Sequence, residues 1–220
     1  MVADANGALI SRRWLQIEFA ALYFGAPLMI ALFLPPRQMF SALALFSMFG
    51  MGLLWFTGGF QFRTLIRGWR QIPWREVAGI SVAVMLSGIV ILSLFRPDDL
   101  FLLLRLRPEL IPFIWALYPL LSALPQELIF RPLFFYRYGA ILPQGKNALI
   151  LNAAVFSFAH LMYWSWIVAL MTFIGGYIFA RAYLRYGFPA VWILHAVAGN
   201  IIFLVGLGAY FYTGNVVRPF

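Results

Sequence analysis

The stretch PFIWALYPLLSALPQELIFRPLFFYR, residues 112–137, decides what kind of protein this is. It is longer than the roughly 20 apolar residues that carry a helix across a bilayer. Yet it holds a carboxylate, Glu127, and a guanidinium, Arg131, about one helical turn apart. A charge in hydrocarbon costs several kcal/mol, so a membrane helix keeps one only where protein or a polar cavity receives it. The prolines flanking the pair sharpen the point. Pro125 and Pro132 lack an N–H and so free the carbonyls of Leu121 and Leu128. Freed backbone and charge at one depth imply a polar cavity inside a bundle.

Six further apolar runs surround this one: Trp14–Leu34, Phe40–Phe60, Val77–Phe95, Asn147–Trp166, Ile167–Tyr186 and Pro189–Tyr212. The 220 residues are 64% hydrophobic and 10% charged, with a mean hydropathy of +0.88. A soluble domain carries about 25% charged residues and could not bury so much apolar surface in one core. The expectation is an all-α, polytopic membrane bundle of about seven helices, in a single domain spanning 1–220. An eighth span would be the segment Asp98–Leu110, but Arg105, Arg107 and Glu109 make it read as an amphipathic stretch at the interface. The apolar stretch after Met1–Arg13 reads as a first membrane helix and not a signal peptide.

The net charge of +9 reflects basic loops in a membrane chain, and nucleic acid is not an expected partner. With the N-terminus inside, Arg12, Arg13, Arg63, Arg67, Arg70, Arg75, Arg137, Lys146, Arg181 and Arg185 fall on the cytoplasmic side. Arg37, Arg96, Arg105, Arg107 and Arg218 fall on the other. Cysteine is absent, which excludes a disulfide framework, a thiolate zinc site and a cysteine nucleophile.

The chain has two histidines, His160 and His195, and both fall inside predicted runs. Asn152, Phe156 and His160 share a helix face at spacing four, as do His195 and Gly199. Glu18 lies one turn into the first run and is expected to snorkel to the interface. One carboxylate and two imidazoles suffice for hydrolysis by either of two routes. Glu127, His160 and His195 could ligate Zn2+ with an open position for water. Without metal, carboxylate and histidine could activate water while a second histidine and an amide hold the oxyanion. Other intramembrane hydrolase signatures are missing: no G-x-S-G turn, no H-E-x-x-H, and no aspartate within a run.

These residues resemble the CAAX prenyl endopeptidases of the Ras-converting-enzyme type and their bacterial relatives, the CPBP (or ABI) family. The family pattern is E-E-x-x-x-R, then F-x-x-x-H, then a second histidine followed by an amide. The chain offers Gln126-Glu127-x-x-x-Arg131, Phe156-x-x-x-His160, and His195 with Asn200. The motif-bearing core is roughly 112–212. The resemblance implies an intramembrane endopeptidase of glutamic or metallo type, cleaving a peptide or membrane protein near the cytoplasmic face of a bacterial plasma membrane. Catalysis would fall to Glu127, Arg131, His160 and His195, with Gln126, Phe156, Asn152 and Asn200 in support. Two departures stand out. Gln126 occupies the place of the first family glutamate, and Gly199 stands where the family's amide falls. A non-proteolytic scaffold that binds a hydrophobic peptide is the alternative reading. The aromatic cluster Phe134, Phe135 and Tyr136 could line a lipid groove, and Gly175-Gly176 could let two helices pack closely.

Overall fold

The computed structural model describes residues 2–4, 6–34 and 38–211. Among the described residues, five helices are long and apolar enough to cross a membrane: α1 (Arg12–Phe33), α3 (Trp74–Phe95), α4 (Leu110–Arg137), α6 (Trp166–Tyr186) and α7 (Phe188–Val205). Two shorter ones, α2 (Met39–Trp55) and α5 (Lys146–Ala159), complete the bundle. The architecture is an all-α polytopic membrane bundle. The segment read as interfacial holds only a short helix, Leu102–Leu106, whose start is tied down by the Phe101 N–H donating to the Val205 carbonyl (2.8 Å).

Rows of large apolar side chains face outward. Val82, Leu86, Val90 and Leu94, spaced four apart on α3, are each 56–71% exposed. In water such a stripe would drive aggregation. In a bilayer it is an ordinary lipid-facing surface, because lipid tails are as apolar as leucine. The core lies inside, where Tyr23, Leu133, Phe134, Tyr138, Val155 and Val191 are fully buried.

Helix ends follow local chemistry. Ser11 caps α1 and Ser165 caps α6, each side chain accepting an N–H from the first turn. Gly187 joins α6 to α7 at φ +87°, and Pro189 follows at the start of α7, where its missing N–H costs nothing. Three predicted ends differ. The run Asn147–Trp166 stops as a helix at Ala159, so His160 terminates α5 and does not lie within a span. The run Phe40–Phe60 stops at Trp55. The last run breaks after Val205, where Gly206 adopts φ +105° and a short helix Gly208–Phe211 follows. Tyr212 at its end, and Arg37 and Arg218 of the charge distribution, lie outside the described residues.

The loops sort onto two ends of the bundle. At one end the N-terminal segment pairs Asp4 with Thr57, Tyr136 donates to the Gly58 carbonyl (3.1 Å), and Gly68 approaches Tyr186. At the other, the residues after α3 meet the residues after α7.

Close packing sets two contacts. A Cβ at Gly176 would come within 3.1 Å of the Ala153 Cα, so this glycine lets α6 approach the α5 backbone, as the Gly175-Gly176 pair suggested. A Cβ at Gly88 would stand 2.7 Å from Val205 and 3.0 Å from Leu207, at a cluster with Leu92 that is fully buried. Gly88→Val is therefore expected to destabilise by about 1–3 kcal/mol through overpacking, read as a lower midpoint in thermal unfolding of the purified protein. An unchanged midpoint would mean that α3 and α7 can separate freely.

Two expectations are corrected. Glu18 is not a free side chain reaching for solvent: it lies level with the end of α4, where Arg137 meets it at 2.5 and 2.8 Å and the Tyr138 hydroxyl donates at 2.7 Å. Burial first, then this bond to the Glu18 carboxylate, pushes the Tyr138 phenol far above its ordinary value, so it stays a donor. The cluster Phe134, Phe135 and Tyr136 forms no groove. Phe134 packs in the core against Phe19 and Tyr23, Phe135 stacks on Tyr183, and Tyr136 is spent on Gly58.

Candidate active site

The candidate site is built on α4, whose backbone widens into π-helical turns at Pro119–Ala123 and Ile129–Arg137. Prolines that cannot donate to the helix ladder explain where these turns form. The carbonyls they turn outward find other donors. Tyr23 reaches the Ile129 carbonyl (2.7 Å), and Asn152 reaches that of Phe130 (2.7 Å). Pro119 leaves the Trp115 carbonyl without its helical donor, and the Asn200 side chain supplies one at 3.3 Å. That bond accounts for Asn200: it serves backbone, and it does not line the cavity.

Glu127 and Arg131 are both fully buried. Arg131 Nε lies 2.9 Å from Glu127 Oε2. The guanidinium also donates to the Phe130 carbonyl (3.0 Å) and to Asn152 Oδ1, and its plane sits over the Phe156 ring at 5.3 Å. Nothing of it is left for solvent or substrate. The other carboxylate oxygen of Glu127, Oε1, lies 2.7 Å from His195 Nδ1. An ionised carboxylate can only accept, so Nδ1 carries the proton there and Nε2 of the neutral ring is an acceptor. His195 stacks on Phe179, with centroids 4.7 Å apart and planes at 21°. A three-helix network thus fixes one imidazole: α4 supplies the carboxylate, α5 the amide and α7 the histidine.

His195 lines a cavity of about 510 Å3 with mostly apolar walls. Its polar lining residues include Tyr118, Ser122, Gln126, His160 and His195, and no carboxylate is among them. Tyr118, Ser122 and Gln126 stand at spacing four on one face of α4, and the Gln126 amide donates to Ser122 Oγ (3.0 Å). Gln126 Oε1 is buried without a hydrogen-bond partner. The Tyr118 hydroxyl stands 3.2 Å from His195 Nε2. His160 borders the same cavity from the end of α5. Its Nδ1 lies 2.8 Å from the Phe156 carbonyl, which fixes the proton on Nδ1 and leaves Nε2 as an acceptor. The Phe156 ring stands beside both histidines, 4.8 Å from His160 and 5.8 Å from His195.

The structure therefore gathers Glu127, Arg131, Asn152 and His195 into one network, brings Gln126, Phe156 and His160 to the adjoining cavity, and leaves Asn200 outside. Tyr118 is the residue that sequence reasoning missed. Zinc does not fit this arrangement: among the described residues no three His, Asp or Glu side chains come close enough together to hold a metal ion. Both Glu127 oxygens are already engaged by His195 and Arg131.

A buried carboxylate–imidazole pair beside a cavity within the helical bundle has the chemistry for proton transfer. Residues 108–201, a little under half of the chain, match the family model described as type II CAAX prenyl endopeptidase Rce1-like. The matched segment holds every residue of the network and most of α4 to α7. The family resemblance carried by the motifs is thereby shown for this segment. No curated protein and no solved structure matches the chain.

Proposed function

We propose that the protein is a membrane-embedded endopeptidase in which His195, oriented by Glu127, activates water against a peptide bond held in the cavity. The observation that carries this reading is the Glu127–His195 bond, which holds the proton on Nδ1 and leaves Nε2, beside the Tyr118 hydroxyl, as the acceptor of a histidine that lines the cavity. Water attacks the carbonyl carbon and gives its proton to Nε2. The tetrahedral intermediate then breaks its C–N bond as the same Nε2–H protonates the leaving amine. Glu127 keeps Nδ1–H in place and stabilises the imidazolium that forms between the two steps, and Arg131 holds the carboxylate in position. Gln126 and His160 offer acceptors to substrate N–H groups. The cavity excludes bulk water, which strengthens each of these contacts.

At about 1.5 Å per residue, Glu127 and His195 lie roughly 10–15 Å from the end of the bundle that carries the N-terminus. The basic side chains gathered at that end support a cytoplasmic N-terminus in a bacterial plasma membrane. The cut would then fall on the cytoplasmic side of the bundle's centre, in a peptide or membrane protein that enters the cavity.

The alternative, a scaffold that binds a hydrophobic peptide without cutting it, draws on one observation: the cavity presents Gln126 and no carboxylate. The two readings separate in quantitative terminomics of membranes from cells making wild type or His195→Gln at matched levels. New protein termini that appear only with wild type are the expected result. Identical termini would support the binding scaffold and overturn the peptidase.

A further inference from the structure

We infer that Tyr118 is a catalytic residue of the proposed reaction, its hydroxyl holding the oxyanion that develops on the substrate carbonyl. The inference rests on the peptidase reading and begins from Gly199. A Cβ built on Gly199 would overlap the hydroxyl end of the Tyr118 phenol ring. Glycine at 199 is thus what lets the tyrosine from α4 reach across to α7. Residue 199 stands one turn beyond His195 on the same face. The phenol end therefore occupies the space that a side chain at 199 would fill, directly beside the imidazole.

Chemistry then narrows what the hydroxyl does there. It lines the cavity and stands 3.2 Å from His195 Nε2, at the long end of the range for a hydrogen bond between oxygen and nitrogen. A neutral Nε2 makes Tyr118 the donor at rest. A peptide carbonyl entering the cavity competes for that donor. When the hydroxyl turns to the carbonyl oxygen, Nε2 is released to take the proton of the attacking water. One movement both polarises the carbonyl and uncovers the base. The proton of Tyr118 stays on Tyr118 throughout, donated to the oxyanion as a hydrogen bond. The water proton passes to Nε2 and from there to the amine. The side-chain amides nearby are committed elsewhere: Gln126 gives its NH2 to Ser122, and Asn200, outside the cavity lining, gives its own to the Trp115 carbonyl.

The test uses the whole protein in phospholipid nanodiscs and a quenched-fluorescent peptide copied from the strongest cleavage site found by terminomics. Loss of one oxyanion donor typically costs about 10²–10³ in kcat. Tyr118→Phe, which keeps the ring, is expected to lower kcat by about that factor, with KM within about threefold and an unchanged unfolding midpoint. A swap separates chemistry from packing. Tyr118→Ala empties the cradle, and adding Gly199→Asn places an amide donor in it. The double variant is expected to cleave at least about tenfold faster than Tyr118→Ala alone. Tyr118→Phe cleaving at the wild-type rate, or losing activity only by unfolding with no recovery in the swap, overturns the inference and leaves the peptidase standing. Absence of any His195-dependent cleavage by wild type removes the peptidase and this inference together.

Discussion

His195→Gln is expected to lower the cleavage rate by about 10²–10⁴, the range that a positioned general base contributes. Glutamine matches the reach of the imidazole and can still donate to Glu127, but it has no nitrogen able to take a proton from water. The loss therefore belongs in kcat, with substrate binding and the unfolding midpoint little changed. Glu127→Gln tests the other half of the pair. An amide oxygen can still accept from Nδ1–H, but without the negative charge the imidazolium loses its stabilisation. Activity should fall by a smaller factor than with His195→Gln, and the loss should appear in kcat with KM little changed. A His195→Gln protein that cleaves at the wild-type rate would mean that the base lies elsewhere.

Arg131→Met is expected to be the most damaging change to the fold, costing about 3–5 kcal/mol. The reason is what it leaves behind. Glu127 is fully buried, and its guanidinium partner supplies the charge that makes its ionised form tolerable there. Breaking a buried pair strands an uncompensated charge, whereas replacing both members by apolar groups of similar volume is often close to neutral. The double variant Arg131→Met/Glu127→Leu should therefore recover much of the lost stability while cleaving more slowly than Glu127→Gln, because leucine offers the His195 Nδ1–H no acceptor. Thermal unfolding of the two variants in one detergent separates these effects. A single Arg131→Met as stable as wild type would show that the network carries no net stability.

The helices were legible because hydropathy reports on what surrounds a membrane segment, and outward rows such as Val82, Leu86, Val90 and Leu94 leave no doubt. Glu127 and Arg131 were legible as a pair because spacing four forces them onto one face, and His195 because so few titratable groups lie deep in the chain. Helix ends were less so. Nothing like glycine or proline marks the stop at Ala159, and the positive φ that turns the chain falls later, at Trp164 (φ 47°). The Glu18–Arg137 pair joins positions 119 residues apart, which no local pattern announces. Tyr118 was missed because tyrosine is ordinary in membrane helices. Its signal was present in the polar stripe Tyr118, Ser122 and Gln126 at spacing four, within an otherwise apolar segment. Prolines showed where α4 would lose hydrogen bonds, but not that the backbone would answer with π turns, which depend on donors from α1, α5 and α7.

The central claim is that His195 activates water inside the membrane. The most direct measurement is cleavage of the quenched peptide by purified wild type and His195→Gln in nanodiscs made up in 18O-labelled water, with the products read by mass spectrometry. One 18O atom is expected in the new carboxylate of the wild-type product, with a rate about 10²–10⁴ lower for the variant. Equal rates for the two proteins, or no cleavage by wild type, would contradict it.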